Sequence, residues 1–122
     1  MSLRILLVED NPQNRYLMTF LLEKHGYTVE VAEDGEQALA MLHESSPDLI
    51  LMDMQLPRVD GYEATRRIKA SDRLRSIPLV ALTAHSMKGD RTKAIEAGCD
   101  AYVTKPVDAD EIIAVIERLT KP

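Results

Sequence analysis

The sequence predicts an α/β domain in which a doubly wound parallel sheet is covered on both faces by helices. Apolar runs alternate with helical patterns from one end of the chain to the other. Residues 5–8, 49–52 and 79–82 are continuously apolar, as expected of strands buried on both sides. The links between successive patterns are short, which favours right-handed β/α crossovers in one layered domain spanning residues 1–122.

Taken in order, Arg4–Val8 is the first predicted strand. Asn11-Pro12 then supplies an N-cap and a proline at the first helical position, and Gly26 can end that helix. Leu17, Met18 and Leu22 on this helix are expected in the core. Thr28–Ala32 is the second strand, and Asp34…Gln37 opens the next helix with a cap acceptor and an amide three residues on. Residues 49–52 form the third strand. Asp60…Glu63 repeats the capping pattern before a third helix, and Leu79–Thr83 is the fourth strand. The helix over residues 87–97 is weak: it contains Gly89 and relies on Ala94, Ile95 and Ala97, so it is expected to be the most easily shifted element. Residues 101–103 form the fifth strand. The last helix follows Asp108…Glu111 and carries Ile112, Val115, Ile116 and Leu119 as a core-facing stripe. Only Thr120-Lys121-Pro122 follow it, leaving no room within the chain for an effector domain.

Composition narrows the function classes. The chain is 45% hydrophobic and 29% charged, the balance of a folded soluble protein. A net charge of −5 argues against a nucleic-acid surface, and Arg66-Arg67 and Arg73…Arg75 are read as solvated helix faces. Cys99 stands alone, which excludes an internal disulfide, points to a reducing compartment and marks a small buried hydrophobe without redox role. With His25, His43 and His85 scattered, it makes no zinc site. The N-terminal apolar stretch is too short for a signal peptide, and no segment approaches the ~20 apolar residues of a membrane span. A cytoplasmic location without membrane insertion is expected.

The chemistry is concentrated at strand ends. Glu9-Asp10 terminate the first strand, Asp53 the third and Thr83 the fourth, while Lys105 follows the fifth. Ligands in open α/β sheets bind beyond the carboxyl ends of the strands. If the first and third strands are neighbours, their ~4.8 Å spacing lets Asp10 and Asp53 share one ion. A few oxygen ligands suit Mg²⁺ that keeps several waters and meets a phosphate. A carboxylate beside such an ion can attack phosphorus, with the Lys105 ammonium and the Thr83 hydroxyl available to phosphoryl oxygens. Thr83 alone reads as an ordinary strand-end hydroxyl, raised only by its company, and Tyr102 alone reads as a half-buried edge aromatic. Phosphate-loop, dinucleotide-fingerprint and nucleophile-elbow motifs are absent. A haloacid-dehalogenase-like phosphatase wants a second acid two residues past the nucleophile, where this chain has Gln55.

Leu7-Val8-Glu9-Asp10-Asn11, Met52-Asp53-Met54-Gln55-Leu56-Pro57, Asp60-Gly61, Leu82-Thr83-Ala84 and Tyr102-Val103-Thr104-Lys105-Pro106 together resemble the receiver domain of two-component response regulators. The resemblance covers essentially the whole chain. It implies a flavodoxin-like sandwich with strand order 2-1-3-4-5. Asp53 is implied to be the phosphoacceptor, with Mg²⁺ held by Glu9, Asp10, Asp53 and the backbone carbonyl of Gln55. Thr83 and Tyr102 are implied to form the switch, Ala84 to be the small residue beside the phosphoryl group, Lys105 to be its counter-charge, and Lys105-Pro106 to be cis. Gln55 and His85 fall where the family varies in phosphate lifetime. A histidine kinase or histidine phosphotransfer protein is the implied donor and a protein the downstream target. Such a domain catalyses only its own phosphorylation and dephosphorylation. Met54-Gln55-Leu56-Pro57 and the segment from Ala84 to Asp90 are most like single-domain cell-cycle regulators and receivers of hybrid sensor kinases; both origins stay open. Asn14, Arg15 and Met18 are expected to edge the donor's docking surface. The alternatives are a metal-dependent phosphatase and a degenerate docking module.

Overall fold

Five parallel strands form one sheet in the order β2-β1-β3-β4-β5: β1 (Arg4–Val8), β2 (Thr28–Ala32), β3 (Leu49–Asp53), β4 (Leu79–Thr83) and β5 (Ala101–Thr104). Between and after them run α1 (Pro12–Lys24), α2 (Gly35–Glu44), α3 (Gly61–Ala70), α4 (Lys88–Ala97) and α5 (Ala109–Thr120). The computed structural model describes residues 3–56, 59–84 and 88–121.

Alternation along the strands divides the core into two layers. Ile5, Leu7, Leu49, Leu51, Val80 and Leu82 point to the side covered by Leu22 of α1 and Ile112 and Ile116 of α5. Leu6, Val8, Ile50, Met52, Leu79 and Ala81 point the other way, onto Ala38 and Leu42 of α2, Ala64 and Ile68 of α3, and Ala94 of α4. Burial on both faces is why these strands are apolar throughout.

The helix starts follow the local chemistry. Asn11, Asp34, Asp60 and Asp108 each accept a hydrogen bond from the backbone N–H three residues on. Gly26, at φ 91°, turns the chain out of α1 in the left-handed region. β3 and β5 each extend one residue past the apolar run. Asp53 pairs in register with Leu82, and Thr104 with Thr83, so the polar side chains that end these runs still belong to the sheet.

Two expectations need correction. Leu17 is not core: it is 58% exposed, alongside exposed Tyr16 and Phe20. α1 is apolar on more than one side, and only the stripe through Met18, Leu21 and Leu22 reaches the sheet. Cys99 is half-buried, packed at the edge of the α2–α3–α4 layer. Burial and the neighbouring Asp100 charge push its thiol pKa up, consistent with an inert group.

Strand order reverses at the β1–β3 junction, because β2 leads away on one side and β4 on the other. The crevice at the carboxyl ends there is where a doubly wound sheet presents a site.

Candidate functional site

Val8 lies level with Met52, so Glu9 and Asp53 emerge side by side from adjacent strands. Glu9 remains tied to the sheet by its N–H, which donates to the Ala32 carbonyl at 3.0 Å. Its carboxylate is buried, while the next residue, Asp10, is exposed at the rim. Met54 continues the ladder by donating to the Leu82 carbonyl at 3.0 Å, which holds Asp53 in place and buried. Carboxylate oxygens of Glu9, Asp10 and Asp53 all come within 4.8 Å of one another.

The Lys105 ammonium sits between two of these acids. It lies 3.2 Å from Glu9 Oε1 and 3.0 Å from Asp53 Oδ2. Lys105 is itself placed by its N–H, which donates to the Thr83 carbonyl at 2.7 Å; the Lys105-Pro106 peptide that follows is cis. Burial alone would lower its pKa, but Asp53 and Glu9 together outweigh burial and raise it. Glu9 is the strained partner. Burial foremost, then the hydrogen bond and charge of Asp53, drive its carboxyl from 4.5 up to about 7, against the opposing pull of Lys105 and the Asn11 N–H. The other Asp53 oxygen, Oδ1, accepts the Gln55 N–H at 2.9 Å, which folds the exposed Gln55 backbone back over the carboxylate.

The remaining predicted residues surround this cluster. Thr83 ends β4, buried and level with Thr104. Ala84 and Pro106, with Glu9 and Lys105, line a cleft of about 540 Å³ that runs out between α1 and the loop before α5. Its outer wall is Asn14, Leu17, Met18, Leu21 and Val107. Tyr102 is set back from the rim, level with Ala81 in β5 and two positions before Thr83. It packs on the α2–α3–α4 layer, with the Arg91 guanidinium 5.1 Å above its ring. His85 and Pro57 lie outside the described residues.

Two contributors were not foreseen from the sequence. Gly61 starts α3 so close to β3 that an added Cβ would meet the Asp53 carbonyl oxygen at 2.2 Å. Arg15 was expected at an outer docking surface. Instead its guanidinium turns under the acidic loop and donates to the carbonyls of Glu9 (3.1 Å) and Asp10 (2.9 Å). The available signal was its position four residues after the Asn11 cap, which brings it back to the start of its own helix.

Oxygen donors from three carboxylates, with one ammonium to offset them, fit a hard divalent cation such as Mg²⁺. Among the described residues, imidazole and thiolate take no part in this group, which suits a hard cation better than softer metals.

Comparison with known proteins agrees with this chemistry. The family profile for the response regulator receiver domain matches residues 5–117. The polar-differentiation response regulator DivK of Brucella anthropi is 43% identical over 113 residues, covering 93% of this chain and 92% of that protein. The receiver domain of the Pseudomonas aeruginosa PAO1 sensor histidine kinase PA1611, solved with magnesium coordinated in its active-site cleft, superposes with a TM-score of 0.92 at 40% identity, covering 98% of both chains. The receiver domain of Saccharomyces cerevisiae Ssk1, co-crystallised with the histidine phosphotransfer protein Ypd1, gives a TM-score of 0.90 at 31% identity over 98% of this chain and 89% of that one. The strand-end acids, the lysine and the doubly wound sheet therefore belong together: this chain is a member of the response regulator receiver family of two-component signalling.

Proposed function

We propose that the chain is a phosphorylation-controlled switch in which Asp53 is the phosphoacceptor. The observation that carries this reading is the convergence of Glu9, Asp10 and Asp53 within 4.8 Å, with Lys105 bonded to Asp53. An Asp53 carboxylate oxygen attacks phosphorus of a phosphohistidine on a histidine kinase or phosphotransfer protein. The P–N bond breaks, the imidazole leaves with the electron pair and is protonated from solvent, and Asp53 carries an acyl phosphate. Glu9, Asp10, Asp53 and the Gln55 carbonyl would hold Mg²⁺, which when bound neutralises charge on the transferred group. The PA1611 receiver supports that cofactor.

Lys105 orients the acceptor before transfer and pairs with a phosphoryl oxygen after it. Thr83, at the end of the adjacent strand, turns its hydroxyl toward the same group, and Ala84 leaves space beside it. Tyr102 then changes its packing between β5 and α4, giving a partner protein two faces to distinguish. The cleft between α1 and Pro106-Val107 opens on the acids, and apart from Asn14 its outer wall is apolar, which suits a donor's approach. The Ssk1 receiver with Ypd1 supports a phosphotransfer partner.

The test is incubation with a small phosphodonor such as acetyl phosphate and Mg²⁺, followed by intact mass. Wild type is expected to gain one phosphoryl group and Asp53→Asn none. Equal gain in both, or none in wild type, would overturn the reading.

A further inference from the structure

We infer that Arg15 is a positioning residue for the acidic rim, acting through the backbone of the two residues that carry its carboxylates. The inference deepens the reading of Glu9 and Asp10 as Mg²⁺ ligands and rests on it. The Arg15 Nη1 donates to two successive carbonyls, Glu9 at 3.1 Å and Asp10 at 2.9 Å. Its Nη2 is held 3.4 Å from Glu33 Oε1, on the loop after β2. The side chain is only 19% exposed.

This arrangement answers a specific need. The last ladder bond of β1 is made by the Glu9 N–H, so the chain leaves the sheet between the two acids. A carboxylate's direction follows its Cα–Cβ bond, which follows the planes of the flanking peptides. Fixing two successive carbonyls on one nitrogen fixes both planes, and so aims both acids. The guanidinium is planar, so Glu33 at its far end limits its rotation and ties the β1–α1 corner to the β2–α2 corner. Asn11, between the acids and α1, caps that helix and accepts the Arg15 N–H at 2.9 Å, closing the corner from its other side.

Charge and geometry predict opposite results, which makes the inference testable. A cation near the acids, taken as charge alone, repels Mg²⁺, so its removal would tighten binding. A clamp predicts that its removal weakens binding. Calorimetric Mg²⁺ titration of wild type, Arg15→Met and Arg15→Lys, each below its own melting temperature, separates the two. Arg15→Met is expected to bind Mg²⁺ about 10-fold more weakly, in the range for residues that orient metal ligands. Arg15→Lys keeps the charge on a stem one bond shorter and restores only part of the clamp, so it is expected to bind Mg²⁺ with an affinity between those of Arg15→Met and wild type. Unchanged or tighter binding by Arg15→Met overturns the inference, as does a Lys variant no better than Met. If Arg15→Met does not fold, Glu33→Gln carries the test: about 3-fold weaker binding supports the clamp and unchanged binding overturns it. Failure of wild type itself to bind Mg²⁺ would instead overturn the assignment of Glu9 and Asp10 as its ligands.

Discussion

Glu9 is buried beside Asp53 and shares Lys105 with it, so in the metal-free protein it holds a proton that an unfolded chain would release. Its folded pKa, about 7, lies above the ordinary 4.5. The sign follows directly: this contribution to stability is whole below 4.5 and is lost as pH rises through about 7. With Glu9 as a proposed ligand, Mg²⁺ would have to displace the same proton. Affinity for Mg²⁺ is therefore expected to rise up to about tenfold per pH unit below ~7 and to level off above it, as calorimetric titrations at about pH 6, 7 and 8 would show. A flat profile across that range contradicts the assignment. Thr65 on α3 offers a separate residue-scale test. Its hydroxyl is fully buried and finds no hydrogen-bond partner among the described residues. Thr65→Val replaces it with a methyl of the same shape and is expected to raise stability by about 1 kcal/mol in urea unfolding. A loss of stability would reveal a partner.

At the scale of elements, Lys69 joins pieces that the sequence keeps far apart. From the last turn of α3 its ammonium donates to the Arg75 carbonyl (3.0 Å), the Ile77 carbonyl (2.9 Å) and Asp100 Oδ2 (2.8 Å). The same Asp100 oxygen accepts the Leu79 N–H, so one clamp fixes the starts of β4 and β5 against α3. Lys69→Met keeps the stem but removes the shared donor of a partly exposed carboxylate and two carbonyls, and is expected to cost about 1–2 kcal/mol by chemical denaturation. A cost below about 0.5 kcal/mol would make the clamp ornamental. This bridge was not legible in the chain, because its partners lie 6, 8 and 31 positions away. The helix caps were legible because each acceptor meets an N–H three residues on. The three central strands, β1, β3 and β4, were legible because burial on both faces leaves unbroken apolar runs. Glu9 and Asp10 at the end of β1, Asp53 at the end of β3 and Lys105 just after β5 could be grouped because a parallel sheet brings all such ends to one edge. Leu17 was misread because α1 is apolar on two sides, and pattern alone does not say which side meets the sheet. Arg15 was read only as a docking-surface residue, because the backbone carbonyls it holds leave no mark on side-chain patterning.

At the scale of the whole molecule, the two core layers share one sheet, so strain at its carboxyl edge is carried by the entire fold. Three acids meet one ammonium there, leaving net negative charge that the metal-free protein has to bear. Functional sites of this kind exchange stability for chemistry. Asp10→Asn removes one repelling charge from the exposed rim without opening a cavity. Without metal, at about pH 8 where Glu9 is ionised, the variant is expected to be more stable by about 0.5–1 kcal/mol, a rise of roughly 2–4 °C in melting temperature. Mg²⁺ at ~100 times its dissociation constant stabilises the wild type by about 2.7 kcal/mol. With Asp10 as a proposed ligand, the variant is expected to gain only a small part of that. The order of stabilities therefore inverts between chelator and excess Mg²⁺. Thermal melts of both proteins in the two conditions test this: parallel Mg²⁺ shifts would show that Asp10 does not bind the ion, and a variant already weaker in chelator would show that Asp10 does not strain the apo fold. An inversion would establish that the same repulsion that loosens the empty domain is what readies its edge for a cation.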